Sequence, residues 1–378
     1  MQFEPKIDSE SLSHSSLFRY LAWPYTLLQN LNRHVFLLLI LTIAFLKNGI
    51  RGIQPWPDFS YVQQFPTLKD NFSTLSIGWL AIAKTLSIDD QASYFILTCL
   101  SLLIMCIGLF FWIEKHLSDE KLLWFRLWFF LGFPLSILMG NIGRHDFFSL
   151  FGVVFMYFCK SRFARYIALT FALLGSPEHV FLSLLLSLPL VYFFERTKLR
   201  DFLFLTASSF LVLVILHIWA FKSDVSSNRL IEFLDNPAYM RTGIGNWIKT
   251  FPLEWFGYFG IFWFVIYLYA LMEKNRVRLI LTLLAFLFPM LGTILLLDKT
   301  RDYILFTILP FMIVTQWVIQ QLQSFPVLLS DEIQKVLKGV IVLLILCLPN
   351  IEATFEGSIR SPFAWILKKL GDIGILLV

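Results

Sequence analysis

The sequence predicts an all-α, polytopic integral membrane bundle, and its composition and its apolar patterning are the two observations that indicate this class. Of the 378 residues, 57% are hydrophobic and 15% are charged, whereas soluble domains usually carry about 25% charged residues. Apolar stretches recur along the whole chain, and a helix needs roughly 20 such residues to cross a bilayer. The stretches are too long and continuous for the alternating strands of a membrane β-barrel. No Gly-, Ser- or Pro-rich linker divides the sequence, so we expect one integrated bundle.

The apolar stretches predict about eleven membrane-spanning helices, in a bundle that extends over residues 35–348. The expected spans are residues 35–50, 91–113, 123–139, 147–159, 163–175, 178–194, 202–221, 255–272, 277–297, 303–320 and 338–348. The stretches 147–159 and 163–175 are short, which is typical of helices that tilt or cross only in part. Residues 17–32 and 72–88 mix apolar and polar side chains, and this pattern predicts helices that lie in the membrane interface.

Basic residues predict the orientation of the bundle. They gather in alternate loops, near residues 160–165, 196–200, 274–278 and 335–338. Because loops rich in Lys and Arg face the cytoplasm, the N-terminal segment 1–34 is expected to be cytoplasmic or interfacial, and residues 349–378 form an outer C-terminal tail. The expected outer loops are residues 51–90, 140–146, 175–179, 222–254 and 298–302. Since no eukaryotic signal is apparent, we expect a bacterial plasma membrane.

The sequence argues against several classes of function. The four Cys residues fall inside apolar stretches without metal-ligand spacing, and a His-Glu-x-x-His motif is absent, so no metal is expected. A phosphate-binding loop and a hydrolase nucleophile elbow are absent as well, and no cofactor is expected. The net charge of +5 comes from the basic loops and does not indicate nucleic-acid binding.

Acids, bases and histidines collect in the short outer loops. Arg144, His145 and Asp146 precede one apolar stretch, and Glu178 and His179 open another. Two of these residues also have a structural interpretation, because Asp146 is suited to cap the helix that follows it and Glu178 suits the positive end of a helix. Taken together, they form a candidate site at the membrane surface for an anionic, partly lipidic substrate.

The most informative segment lies between the apolar stretches 277–297 and 303–319. Four charged residues follow one another closely there, namely Asp298, Lys299, Arg301 and Asp302. Charged groups placed where a helix leaves the bilayer are costly unless they are solvated or paired, so they are often functional.

This segment resembles a motif of the GT-C mannosyltransferases, which use lipid-linked sugar donors. It reads Leu297-Asp298-Lys299-Thr300-Arg301-Asp302-Tyr303, followed by Leu309-Pro310, against His-Lys-Glu-x-Arg-Phe…Leu-Pro in the family. Lys299, Arg301 and the aromatic Tyr303 match, with Tyr303 one place late relative to Arg301, whereas Asp298 stands in place of the His and Thr300 in place of the Glu. Pro57-Asp58 resembles the Pro-Asp of the family's first outer loop, where the Asp is the expected base. The resemblance implies a GT-C-like bundle with interfacial helices in that loop.

Transfer of a sugar from a polyprenyl phosphate requires cations for the phosphate and a carboxylate that deprotonates the acceptor hydroxyl. Lys299, Arg301 and Arg144 are the candidate cations, because Arg and Lys bind phosphate oxygens. Asp58 is the candidate catalytic base, and Asp70 is its alternative. The other residues expected to bind substrate are His145, Asp146, Glu178, His179, Asp298 and Tyr303. We therefore expect a mannosyltransferase-like enzyme whose partners are a lipid-linked sugar donor, membrane lipid, and a glycan, lipid or protein acceptor.

Three other interpretations remain open. A polysaccharide polymerase or ligase of another fold would also use Arg and His at the outer face. A lipid or glycolipid transporter is the second alternative, although carriers usually place charges near the middle of the membrane, where these spans are almost free of charge. A structural assembly factor is the third. A cavity that joins Asp58, Arg144 and Arg301 and opens toward lipid would favour transfer chemistry.

Overall fold

The computed structural model describes residues 16–48, 77–88, 90–140, 145–222, 237–293, 299–324, 331–348, 350, 352–353 and 359–360. Its helices are α1 (Ser16–Asn30), α2 (Arg33–Asn48), α3 (Ile77–Thr85), α4 (Gln91–Trp112), α5 (Asp119–Arg126), α6 (Phe133–Gly140), α7 (Asp146–Phe158), α8 (Arg162–Leu173), α9 (Pro177–Phe194), α10 (Leu199–Lys222), α11 (Pro237–Phe259), α12 (Trp263–Met272), α13 (Arg276–Thr293), α14 (Lys299–Ser324) and α15 (Asp331–Cys347). Short 3₁₀ turns occur at Ile113–Lys115, Arg196–Lys198 and Gly260–Phe262. Two short antiparallel strands, β1 (Glu352–Ala353) and β2 (Ile359–Arg360), follow the last helix.

The expected all-α, multi-pass membrane architecture is confirmed. Seven helical segments of the described chain are long and apolar enough to cross a bilayer, namely Gln91–Lys115, Asp119–Met139, Pro177–Phe194, Arg196–Trp219, Glu254–Met272, Arg276–Thr293 and Thr300–Leu322. The four other apolar stretches form the helices α2, α7, α8 and α15, which have 16, 13, 12 and 17 residues. At 1.5 Å per residue these four are shorter than a hydrocarbon core of roughly 30 Å. A total of eleven spans therefore stays a prediction.

Several segments expected to be outer loops are helical. α11 begins at Pro237, so much of the 222–254 segment is helix; proline suits a first helical turn because the N–H it lacks has no partner there. α9 begins at Pro177 and α14 at Lys299. The polar residues expected in these two loops therefore lie largely in first helical turns, where the backbone fixes their direction.

Part of the predicted interfacial segment 72–88 packs against the bundle. Only residues 77–88 of it are described, and α3 covers 77–85. Trp79 is buried and lies against Tyr94 of α4 and Phe148 of α7, with ring centroids 6.2 and 5.2 Å away. Aromatic burial of this kind gives α3 a fixed place beside the start of α7.

α9 and α14 run side by side in the same direction. Their first turns meet where His179 contacts Asp302, and farther along Phe194 packs against Trp317 with ring centroids 5.6 Å apart. α7 runs parallel to α9, because the Tyr157 hydroxyl near its last turn donates to Glu195 Oε1 at 2.5 Å, just after α9 ends. Three helices thus begin at one end of the bundle.

A close backbone approach fixes the start of α9 against α7. A Cβ added to Gly175 would lie 2.5 Å from Ser149 Oγ and 2.7 Å from the His145 carbonyl oxygen, distances that real side chains do not adopt. The Ser176 N–H donates to Ser149 Oγ at 2.6 Å, and that hydroxyl donates to the Ala172 carbonyl at 3.0 Å. The loop between α8 and α9 is therefore held rigidly over the first turns of α7.

Ion pairs gather at the opposite end of the bundle, which we call the basic end. Asp201 accepts from Arg162 Nη2 at 2.6 Å and from Arg165 Nη1 at 2.5 Å. Lys198 Nζ lies 2.6 Å from Glu195 Oε2. These pairs connect the start of α8 with the start of α10 and the end of α9 with the loop after it. They lie in the segments that the charge pattern predicts to be cytoplasmic.

Arg126 is the most buried cation of the basic end. It pairs with Glu114 and donates to the Phe110 carbonyl at 2.9 Å, and its guanidinium lies 3.6 Å from the centroid of the Phe110 ring. The end of α4 that carries Glu114 lies beside the later part of α7, because Trp112 packs against Phe155. Arg126 and the start of α7 are therefore at opposite ends.

A π-helical turn at Leu127–Leu131 separates α5 from α6. The resulting break exposes a carbonyl, and Lys47 Nζ donates to Leu131 O at 3.0 Å and to Ile345 O at 2.5 Å. Asn350 Nδ2 also donates to Leu131 O, at 3.3 Å. Lys47 and Asn350 thus provide hydrogen bonds to the Leu131 carbonyl, which the break in the helix would otherwise leave unpaired. An unpaired backbone carbonyl is costly in an apolar environment.

Candidate functional site

A buried ionic cluster occupies the end of the bundle where α7, α9 and α14 begin. We call it the Arg301 cluster, and it consists of Asp146, His179, Arg301 and Asp302. Arg301 Nη1 lies 3.2 Å from Asp146 Oδ2, and its Nη2 and Nε lie 3.1 and 3.3 Å from Asp302 Oδ1. The side chains of Arg301 and the two Asp residues are 8%, 3% and 3% exposed. A guanidinium so placed offsets part of the charge of two carboxylates that would be costly to bury alone.

His179 is held by Asp302 and by an aromatic ring. Its Nε2 lies 2.9 Å from Asp302 Oδ1, and its ring stacks on Phe306 with centroids 4.9 Å apart and planes 21° apart. The His179 side chain is 16% exposed. Its second ring nitrogen, Nδ1, is buried and has no hydrogen-bond partner among the described residues.

Ser176 anchors the Asp146 carboxylate from α9. The Ser176 hydroxyl donates to Asp146 Oδ1 at 3.0 Å, while the other carboxylate oxygen faces Arg301. His145 precedes α7, and its Nε2 lies 3.9 Å from Asp146 Oδ1. The cap position of α7 is His145, so Asp146 is the first helical residue. The capping role considered for Asp146 is therefore wrong, because its carboxylate points to α9 and α14.

The position of the cluster favours anions. Three of the described helix N-termini meet there, and each presents the positive end of its backbone dipole. Arg301 adds a planar set of five N–H donors, which suits carboxylate and phosphate groups. Anions bind at such helix ends in many proteins. The cluster combines this electrostatic setting with a histidine, which can exchange a proton near neutral pH.

The other residues expected in the site have mixed outcomes. Glu178 lies exposed in the first turn of α9, one residue from His179. Tyr303 is fully buried and stacks on Tyr258 with ring centroids 4.0 Å apart, so it lies in the core next to the cluster. Asp58, Asp70, Arg144 and Asp298 lie outside the described residues, and so does the side chain of Lys299, which begins α14.

Sequence reasoning did not identify Glu254 as a candidate. This carboxylate is fully buried on α11, and the Tyr258 hydroxyl lies 3.4 Å from its Oε2 and 2.9 Å from Thr293 Oγ1. Tyr258 stacks on Tyr303, so Glu254 belongs to a polar group adjoining the Arg301 cluster. The spacing of four residues between Glu254 and Tyr258 was the available signal, because it places both side chains on one helix face.

Asp302 and Ser176 were also absent from the expected site. Asp302 belongs to the charged segment, but its contact with His179 depends on the packing of α14 against α9. In the part of the chain that the structure describes, no group of three or more His, Cys, Asp or Glu side chains has an arrangement that could hold a metal ion. The described site consists of one guanidinium, two carboxylates and an imidazole.

The chain matches no protein family model, no curated protein and no solved structure.

Proposed function

We propose that this chain is a mannosyltransferase-like membrane glycosyltransferase that moves a sugar from a polyprenyl-phosphate donor to an acceptor hydroxyl. The observation that carries the proposal is the burial of Arg301 between Asp146 and Asp302 where three helices begin. A cation held by two carboxylates keeps a fixed direction, and the surrounding helix dipoles favour a phosphate group. The charge pattern predicts that this end lies outside the cytoplasm, which supports the proposal.

The proposed reaction uses residues from both the described and the undescribed parts of the chain. The acceptor oxygen attacks C1 of the sugar, the bond between C1 and the phosphate oxygen breaks, and its electron pair goes to that oxygen. Asp58 takes the proton of the acceptor hydroxyl, with Asp70 as the alternative base. Arg301, with Lys299 and Arg144, stays with the phosphate. The resemblance of residues 297–310 to the GT-C motif supports this assignment, as does a bundle of up to eleven spans.

The experiment that tests this proposal compares two buried arginines. The purified chain in lipid nanodiscs is supplied with polyprenyl-phosphate sugars, and transfer to acceptor is measured by mass spectrometry. Arg301→Lys is expected to lose at least about tenfold in rate, because the planar fork that binds phosphate bidentately is lost. Arg126→Lys is the control, since Arg126 is also buried and ion-paired but lies at the basic end.

Three outcomes contradict the proposal in different ways. Equal rates for the two Lys variants would remove Arg301 from the donor site. Full activity of Asp58→Asn, which we expect to lose about a hundredfold or more, would remove the base. Failure of the parent protein to transfer sugar from any polyprenyl-phosphate donor would reject the glycosyltransferase function itself, whereas formation of long polymers would favour the polymerase alternative.

A lipid or glycolipid transporter is the second candidate, and Glu254 is the observation that favours it. Glu254 is a fully buried carboxylate at the start of a candidate membrane span, and ionisable residues inside a membrane often mark transport or proton pathways. Flux of labelled glycolipid across proteoliposomes, lost in Glu254→Gln and retained in Arg301→Lys, would support transport over transfer.

A further inference from the structure

His179 is the residue of the Arg301 cluster best placed to exchange a proton. Its ring is fixed by the Asp302 contact at Nε2 and by stacking on Phe306. Nδ1 is buried and lacks a hydrogen-bond partner within the described residues. Arg301 keeps its proton at any physiological pH, and both Asp residues are engaged by Arg301. The imidazole is therefore the group whose protonation can change during a reaction.

The contacts of Asp302 assign one of the two ring protons. Asp302 Oδ1 accepts from Arg301 as well as from His179, so the carboxylate is ionised and the proton of the His179–Asp302 contact belongs to Nε2. Gain or loss of a proton then takes place at Nδ1. This arrangement, in which a carboxylate orients one nitrogen and leaves the other for chemistry, is the one that acid–base histidines use in enzymes.

Charged groups from three helices face His179. Asp302 and Arg301 face it from α14, Asp146 from α7, and Glu178 from its own helix. Three carboxylates and one guanidinium carry a net charge of −2 among these described groups, and an imidazolium reduces that excess. A protonated His179 would donate to Asp302 from Nε2 and present a second N–H at Nδ1.

We propose that His179 is the general acid of the transfer reaction, and that its Nδ1–H protonates the phosphate oxygen that leaves C1. This inference rests on the proposed function. As the bond between C1 and oxygen breaks, its electron pair goes to the phosphate oxygen, and that oxygen takes the Nδ1 proton. The neutral imidazole keeps its Nε2–H on Asp302 and later regains a proton from water. Asp302 is a positioning residue in this scheme.

The chemistry of the leaving group suits an imidazole. A phosphate monoester takes up its second proton near pH 6, and an ordinary imidazole titrates near pH 6.5. Proton transfer between groups of matched acidity is efficient. Arg301 and His179 contact the same oxygen of Asp302, so a phosphate bound by Arg301 would lie in the same cluster as the imidazole.

The test measures kcat, the donor KM and the pH dependence of kcat for the full chain in nanodiscs, with a polyprenyl-phosphate sugar as the probe. His179→Gln keeps a polar group near Asp302 but supplies no proton, so kcat should fall about a hundredfold while the donor KM changes little. In the parent protein kcat should fall as the pH rises and Nδ1 loses its proton, and His179→Gln should lose this alkaline decline. Asp302→Asn should lower kcat less and shift the decline.

His217→Gln is the matched control. His217 is an exposed histidine of α10 whose Nδ1 lies 2.9 Å from the Leu213 carbonyl, and its replacement should leave kcat and the pH profile unchanged. A folded His179→Gln protein with the parent kcat or the parent pH profile overturns the inference. If that variant does not fold, a parent kcat that stays constant from about pH 6 to 9 overturns it.

The failures of the two proposals are distinguishable. A parent protein that transfers no sugar from polyprenyl phosphates rejects both the function and the acid. A parent protein that transfers sugar, together with an active His179→Gln variant, rejects the acid alone and leaves the glycosyltransferase function standing.

Discussion

The two ends of the bundle both contain buried ion pairs, but they are built differently. At the basic end, Glu114 pairs with Arg126 twelve residues later, and Lys198 pairs with Glu195 three residues before it. In the Arg301 cluster, Arg301 and Asp146 are 155 residues apart, and His179 and Asp302 are 123 apart. These two pairs are local, although Arg162 and Arg165 also pair with Asp201 at the basic end and Lys338 pairs with Glu120. The cluster, by contrast, depends on the packing of three distant helices.

The balance between positive and negative charge also differs between the two ends. At the basic end Asp201 has two arginine partners, so positive charge is in excess, as expected for loops that set orientation. The Arg301 cluster has two carboxylates for one guanidinium, with a histidine beside them. The described cluster thus buries more negative than positive charge, and charged groups of this kind are frequent at functional sites.

The two ends of the bundle are predicted to face different compartments, and this is the first difference to test. In a background without native cysteines, Thr197→Cys and Arg241→Cys place single thiols at exposed positions. A membrane-impermeant maleimide should label position 241 from outside and position 197 only from the cytoplasmic side, because the charge pattern predicts that the basic loops are cytoplasmic. Labelling of both positions from one side would reject the predicted topology.

The largest change in stability should come from removing Arg301. Arg301→Met leaves Asp146 and Asp302 buried without their cation, which should lower the free energy of unfolding by about 3–5 kcal/mol. Arg126→Met is the counterpart at the basic end. Glu114 is 25% exposed and can be solvated, so the loss there should be on the order of 1 kcal/mol. Reversible unfolding in mixed detergent micelles measures both values, and equal losses would show that the two ends do not differ in this respect.

A smaller effect is expected from the backbone contact that positions α9. Gly175→Ala places a methyl group against the His145 carbonyl and Ser149 Oγ, which should cost about 1–3 kcal/mol because the neighbouring backbone must shift. Gly108→Ala is the control, since a Cβ there meets nothing within 4 Å and alanine favours a helix by roughly 0.5–1 kcal/mol. The same unfolding assay should show opposite signs for the two variants, and a stabilising Gly175→Ala would contradict the close packing.

The smallest effect is expected for a partly exposed pair of the basic end. Lys198 lies beside Glu195 with 30% of its side chain exposed, and such pairs contribute about 0–1 kcal/mol. Lys198→Ala should therefore change the free energy of unfolding by less than about 1 kcal/mol. A loss as large as that of Arg301→Met would mean that the basic end also depends on its ion pairs for folding.

Most of the helices could be predicted because their apolar stretches are long and continuous. The stretch 178–194 corresponds to α9, and 91–113 corresponds closely to α4. The π-helical turn at Leu127–Leu131 could not be predicted, because the stretch around it is uniformly apolar and the break is satisfied by Lys47, a distant residue. The helical start at Pro237 was missed because charged residues before it resemble an extended loop.

The candidate site could be predicted only in part. Arg301, Asp146 and His179 were identified because each is a charged or titratable residue where an apolar stretch begins. Their contacts could not be derived, because these depend on how α7, α9 and α14 pack. Glu254 was missed for a related reason, since its burial depends on contacts between α11 and neighbouring helices that a local sequence pattern does not reveal.

The large separation between the partners of the Arg301 cluster has a consequence for biosynthesis. Residues 146 and 179 leave the ribosome long before residue 301, so α7 and α9 exist for a time without their cation. During that time the Ser176 hydroxyl, which donates to Asp146 in the folded chain, is available to the carboxylate whereas Arg301 is not. A chain truncated before residue 299 has most of its membrane helices but no assembled cluster, and completion of this site marks a late step in the maturation of the protein.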